Sequence, residues 1–168
     1  MPIPFISICI PAYRRVVYLQ RLLESIKNQT FTDFEVIISD DSPDDSVRSL
    51  VDRYTRLNIR YFHNSPALGT PSNWNSAIRQ ASGEWIKLIH DDDWLADENS
   101  LRIFAEHARQ HKKFIFSAYS NQFGGTHTAE ERKLFPRSWR NRIIRQPMTL
   151  LAYNVIGPPS VIMRSEEH

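Results

Sequence analysis

Two hydrophobic rhythms alternate along this chain of 168 residues. Short apolar runs rich in β-branched residues read as strands: Phe5–Ile10 (FISICI), Phe34–Ser39 (FEVIIS), Ile59–His63 (IRYFH), Glu84–Ile89 (EWIKLI) and Phe114–Tyr119 (FIFSAY). The first is apolar almost throughout, as a strand buried on both faces should be. Between the runs, apolar residues recur at i, i+3, i+4 and i+7, the stripe of a helix packed along one side. The stripes are Leu19, Leu22, Leu23, Ile26; Val47, Leu50, Val51, Tyr54; Trp74, Ala77, Ile78, Ala81; and Leu101, Phe104, Ala105, Ala108. Thr70-Pro71 offers the third helix an N-cap and a first helical position.

Strands and helices alternating through short connections predict an α/β fold, a mostly parallel central sheet with helices on both faces. In such sheets ligands bind beyond the carboxyl ends of the strands, near the point where strand order reverses. The polar clusters fall at those ends. The first strand runs into PAYRR, the second into DDSPDD and the fourth into HDDD.

Composition narrows the class. With 41% hydrophobic residues the chain can bury one core, which predicts a single domain over 1–168. No run of 18 apolar residues spans a membrane, and no basic segment precedes the first apolar run as in a signal peptide. The one cysteine, Cys9, excludes an internal disulfide and is read as a buried core residue in a reducing, cytoplasmic compartment. A net charge of +2 does not imply a nucleic-acid partner. The charge is uneven, however: Glu130–Gln146 carries six Lys/Arg against two Glu. That stretch is either a solvated face or a surface meeting anionic headgroups or a phosphorylated acceptor.

Asp44, Asp45 and Ser46 suit a turn and helix cap. Asp40 and Asp41 instead continue a strand into the expected crevice, where a carboxylate can accept hydrogen bonds from a base or ribose. Asp91, Asp92 and Asp93 would raise one another's pKa unless a cation neutralised them. Hard oxygen ligands of this kind suit Mg²⁺ or Mn²⁺ alongside substrate phosphates. His90 is a weaker ligand candidate, since imidazole suits Mn²⁺ but not Mg²⁺, and a structural role is equally open. His107 and His111 are spaced for zinc on a helix but lack a third ligand, so they read as an exposed face. A phosphoacceptor domain would also place acids after a strand, with a Ser or Thr such as Ser120 and a Lys at later strand ends; no such Lys is evident.

Taken together, these clusters resemble glycosyltransferase family 2, inverting enzymes of the GT-A fold. The segment SICIPAYRRVVYLQRLLESIKNQTFTDFEVIISDDSPDDS is similar to the family's opening: a strand ending in P-A-Y-N, a helix ending in S-x-x-x-Q, and a strand ending in D-D-x-S. AIRQASGEWIKLIHDDDWLAD resembles the block A-x-G-E-Y-I before the metal-binding D-x-D, and Ile156–Arg164 (IGPPSVIMR) a later strand-entry segment. The resemblance implies that Pro11, Ala12, Tyr13 and Arg15 line a nucleotide pocket. It implies that Asp41 bonds the base, uracil in many members, that Asp91 lies near the ribose, and that Asp92 holds an Mn²⁺ or Mg²⁺ ion bridging the donor phosphates. Asp91 and Asp93 would complete the metal site, Asp93 orienting the loop or touching the sugar.

The chain also departs from the pattern. His90 stands for the usual first acid of D-x-D and Arg14 for a frequent Asn. Trp74 stands for an Arg that often approaches the nucleotide; its apolar stripe assigns it to the core and leaves Asn73 or Asn75 to face the crevice. The resemblance implies that residues 1–120 form the nucleotide-sugar-binding part and 121–168 the start of an incomplete acceptor side. The catalytic base is then expected beyond His168. The implied activity is transfer of a sugar from a nucleotide-diphosphate donor, UDP-linked, to a glycan or lipid-linked acceptor in cell-surface polysaccharide synthesis. The setting implied is cytoplasmic, or peripheral at the inner membrane face through Arg132–Arg145. The alternative is a non-catalytic nucleotide-binding fragment.

Overall fold

The first four apolar runs and all four stripes become elements in the computed structural model, which describes residues 2–111, 115–117, 119–121, 131–133, 138, 141–142, 145 and 161–164. In chain order they are β1 (Ile6–Ala12), α1 (Val16–Lys27), β2 (Phe34–Asp40), α2 (Ser46–Val51), β3 (Ile59–His63), α3 (Ser72–Arg79), β4 (Trp85–Leu88) and α4 (Ser100–His111). β5 (Ile115–Phe116), β6 (Tyr119–Asn121), β7 (Glu131–Lys133) and β8 (Val161–Arg164) follow. The main sheet has the order β3-β2-β1-β4-β8-β5. β1 to β4 pair in parallel, and β8 runs antiparallel between β4 and β5.

Two cores explain why helices cover both faces. Ile6, Ile8, Ile10, Val36, Ile38 and Trp85 cluster with the stripes of α1, α2 and α4. Cys9, Ile37 and Ile86 project to the other face and cluster with Ala77 of α3. The chain moves from β1 through β2 to β3 with α1 and α2 on one face, then returns past β1 to β4 with α3 on the opposite face. A right-handed crossover demands that change of face when the direction of travel reverses.

Several expectations need correction. FIFSAY is not one strand: Ile115–Phe116 joins the main sheet, whereas Tyr119–Asn121 pairs with β7 in a separate two-stranded sheet. Ser120 therefore lies off the main sheet, which removes the phosphoacceptor arrangement. The third helix begins at Ser72, not at Pro71, which occupies the cap position with no side-chain hydrogen bond. The segment VIMR does enter the sheet, as β8. Cys9 is fully buried, and burial pushes its thiol well above the ordinary range. His107 and His111 are exposed and stacked on α4, away from any described ligand cluster. Of the basic stretch, Arg132 and Lys133 lie in β7, and Arg142 and Arg145 are exposed on helical backbone; its other basic residues, Arg137 and Arg140, lie outside the described residues.

Two hydrogen-bonded clamps set the frame. At the amino ends of the strands, the buried Glu35 carboxylate accepts from Ser7 Oγ at 2.6 Å, Ser82 Oγ at 2.7 Å, Ser82 N at 2.8 Å and Arg60 Nη1 at 3.3 Å. Burial alone would raise its pKa, but these bonds outweigh it and hold the group below the ordinary range. Gly83 closes the same corner: a Cβ there would sit 2.8 Å from both Ser7 N and Ser7 Oγ. At the far end of α1, Gln29 donates to Asp97 O at 2.7 Å and accepts from Leu101 N at 2.9 Å. Ser25 Oγ accepts from Leu95 N at 3.1 Å. The Ser25 and Gln29 spacing thus ties α1 to the segment entering α4.

Candidate functional site at the strand switch

Strand order reverses about β1, whose neighbours are β2 on one side and β4 on the other. The ladder to β4 ends at the Cys9–Leu88 pair, while the ladder to β2 continues to Ala12–Asp40. Cys9 O accepts from Ile89 N on the β4 side, and Ala12 O accepts from Asp41 N on the β2 side. Backbone groups alternate sides along a strand, so Pro11 presents its missing N–H toward β4, beyond the last pair. A proline is tolerated there because no ladder bond is lost. Past this point β1 and β4 separate, and a cleft of about 710 Å³ opens.

Every nucleotide-site candidate lines this cleft: Pro11, Ala12, Tyr13, Arg15, Asp41, Asn73 and Asp91. Tyr13 is half exposed at its mouth, with the Arg14 guanidinium 5.1 Å from its ring centre. Arg14 adopts a positive φ of 60°, an arrangement that Asn tolerates better than a long side chain. Its N–H is held by Ser42 Oγ at 2.8 Å.

Asp40 and Asp41 have opposite fates. Asp40 is fully buried and accepts from Tyr61 OH at 2.7 Å and Ser42 N at 2.8 Å, so it stabilises the turn instead of facing a ligand. Asp41 reaches the cleft and organises its wall. Its Oδ1 accepts from Asn64 Nδ2 at 2.9 Å and Leu68 N at 3.1 Å, and its Oδ2 from Gly69 N at 2.8 Å. The loop carrying Ala67, Leu68, Gly69 and Thr70 is a wall of the cleft that the hydrophobic pattern did not reveal. Asn73 is buried and donates to Ala12 O at 3.3 Å. Trp74 is not in the core, as its stripe suggested; it lines the cleft and lies over His90, ring centres 4.6 Å apart. The helix is rotated so that Asn73 and Ala77 are its buried positions. Asn75 is exposed.

The acidic segment is a β-turn closed by Asp93 N donating to His90 O at 3.2 Å. It is pinned to the start of the chain. Asp91 Oδ2 accepts from Tyr13 N at 3.1 Å, Asp92 forms an ion pair with Arg15, and Trp94 stacks beneath the Arg21 guanidinium at 3.4 Å. Burial, together with the charge of Asp92, pushes the carboxyls of Asp91 and Asp93 above the ordinary range. Behind the turn, Lys87 of β4 is fully buried against the Phe104 ring, and burial lowers its pKa to about 7. The turn gathers one ligand atom each from His90, Asp92 and Asp93 within 4.8 Å of one another. Asp91, expected beside them, is engaged with Tyr13 and stands outside this group. The Nε2 of His90 is buried and has no hydrogen-bond partner. Two carboxylates and one imidazole, one of whose nitrogens lacks a partner, fit a divalent cation.

Comparison with known proteins gives a consistent result. A GalNAc(5)-diNAcBac-PP-undecaprenol beta-1,3-glucosyltransferase of Campylobacter jejuni is 38% identical over 95 residues, 55% of this chain and 31% of its own length. The structure of Staphylococcus aureus TarS 1–349 in complex with UDP-GlcNAc superposes with a TM-score of 0.70 at 23% identity. It covers 96% of this chain and 45% of that one. A mannosyltransferase from Pyrobaculum calidifontis in complex with GDP-Man and Mn²⁺ superposes with a TM-score of 0.69 at 17% identity, over 99% of this chain and 46% of that one. The fold is therefore GT-A, and the chain spans less than half the length of these proteins. The model of glycosyl transferase family 2 matches residues 7–165, and the chain belongs to that family.

Proposed function

We propose that this chain binds a nucleotide-diphosphate sugar, UDP-linked, and contributes to inverting transfer of the sugar onto a glycan or lipid-linked acceptor. The observation that carries the reading is the meeting of three strand ends, Pro11–Tyr13, Asp41 and Asp91–Asp92, around one cleft at the strand switch. Tyr13 offers the base a half-exposed ring to stack on. A carboxylate has about four acceptor positions; Asp41 uses three internally, which leaves one for a base N–H. Asp91 faces the ribose. Arg15, beside Asp92, is placed to meet the diphosphate.

The residues fit for the ion are Asp92 and Asp93, with Mn²⁺ or Mg²⁺ as the candidates. Bound there, a divalent cation would offset the negative charge that grows on the departing nucleoside diphosphate. The chain's own contribution is to hold the donor still, with the Asp41-anchored loop as a wall of the cleft at the base. No carboxylate among the described residues is assigned as general base. Within this reading, the basic charge of the Arg132–Arg145 stretch would suit an anionic acceptor or headgroups at the inner face of a membrane. Among the described residues no helix is long and apolar enough to cross one.

Calorimetry of UDP binding with and without Mn²⁺ tests the reading. UDP should bind more tightly with the ion, and Asp92→Ala should abolish that gain while leaving the far-UV spectrum unchanged. A gain on adding Mn²⁺ that is as large in the mutant as in the wild type would sink the metal role. Incubation with a panel of nucleotide sugars separates an enzyme from a nucleotide-binding fragment. Release of the nucleoside diphosphate on adding an acceptor marks the enzyme.

A further inference from the structure

We propose that His90 is itself a ligand of the divalent ion, and that its nitrogen makes the site prefer borderline cations such as Mn²⁺ and Co²⁺ over Mg²⁺. The inference rests on the reading of the cleft as a metal-assisted donor site and adds the class of ion it selects. Three observations carry it. The turn His90–Asp93 brings a ring nitrogen of His90 and carboxylate oxygens of Asp92 and Asp93 within 4.8 Å. An octahedral ion with bonds of about 2.1 Å sets neighbouring ligand atoms about 3.0 Å apart and opposite ones about 4.2 Å apart. The three donors thus already lie in one neighbourhood, and a bound ion would draw them to these spacings.

Second, His90 Nε2 is buried without a partner. A buried polar atom left bare is unfavourable, and a metal bond at that nitrogen would supply the missing interaction. Third, the ring is held. Trp74 packs over it at 4.6 Å, and the His90 carbonyl is fixed by the Asp93 N–H. The imidazole is thus oriented before any ion arrives, so ligation costs it little side-chain freedom. Its nitrogen decides the selectivity. Mg²⁺ favours oxygen-only surroundings, whereas Mn²⁺ and Co²⁺ accept imidazole more readily along the divalent series.

The test uses the full chain with Mn²⁺ and UDP. Pulsed electron paramagnetic resonance on bound Mn²⁺ should show imidazole ¹⁴N coupling, and His90→Asp and His90→Asn should remove it. Titrations of Mn²⁺ and Mg²⁺ should show the Mn²⁺/Mg²⁺ affinity ratio falling by about tenfold or more in His90→Asp, a typical size for loss of a metal-site contact. Far-UV circular dichroism on both variants checks folding. Absence of nitrogen coupling in the wild type, or an unchanged ratio in His90→Asp, overturns the assignment of His90. If Mn²⁺ still tightens UDP binding in that case, the donor-site reading stands and only the His90 inference falls. If Mn²⁺ neither binds nor alters UDP affinity, both fall together.

Discussion

Asp41→Asn separates reading the base from holding the cleft wall. The substitution keeps side-chain size but replaces one carboxylate oxygen by an NH₂ group. In the native site Oδ1 serves Asn64 and Leu68, and Oδ2 serves Gly69 at 2.8 Å. The asparagine can keep one side of this arrangement, leaving a backbone N–H facing its NH₂. A hydrogen bond to a charged acceptor contributes about 1.5–3 kcal/mol. Asp41 is 6% exposed, so solvent compensates little. Local opening of the Leu68–Gly69 segment should therefore become easier by about 2–3 kcal/mol, or roughly 30- to 140-fold. Amide hydrogen exchange at Leu68 and Gly69 measures this directly, while the amides of β1 should keep their protection. The same variant should lose far more affinity for UDP than for inorganic pyrophosphate, because the diphosphate end of the site does not depend on Asp41. Unchanged exchange at both loop amides would refute the anchoring argument. Equal losses for the two ligands would refute the role at the base.

Gly83→Ala should destabilise the fold by about 1–3 kcal/mol, read from the urea midpoint, because the new methyl would meet Ser7 backbone at 2.8 Å. Arg14→Asn should stabilise it by about 1 kcal/mol or less, since asparagine suits the positive φ; a lower thermal midpoint would contradict this. Glu35→Gln should weaken the fold and flatten its acid sensitivity. The folded-state pKa of Glu35 lies below its unfolded value near 4.5, so its stabilisation is present above that pH and is lost as pH falls through the folded value. Urea midpoints between neutral pH and pH 3 should therefore fall more steeply for the wild type than for the variant.

Much of this molecule was legible as a pattern. Four apolar runs and four stripes became β1–β4 and α1–α4, because burying a strand on two faces or a helix on one imposes its period on the sequence. The polar clusters at the strand ends likewise pointed to the cleft, since a parallel sheet directs those ends to one edge. Pro11, Asp91 and Asp92 could be placed there before any coordinate. What the pattern could not give is set by contacts distant along the chain. Trp74 fits the apolar stripe of α3, yet the rotation of that helix, with Asn73 bonded to Ala12 and Ala77 in the core, turns the indole over His90. Asp40 and Asp41 are adjacent and chemically alike. Only the positions of Tyr61, Leu68 and Gly69 decide that one is structural and the other anchors the cleft wall. Local periodicity records which side of an element is buried. Which polar group finds a partner, and which is left like His90 Nε2 without one, is decided when segments tens of residues apart meet.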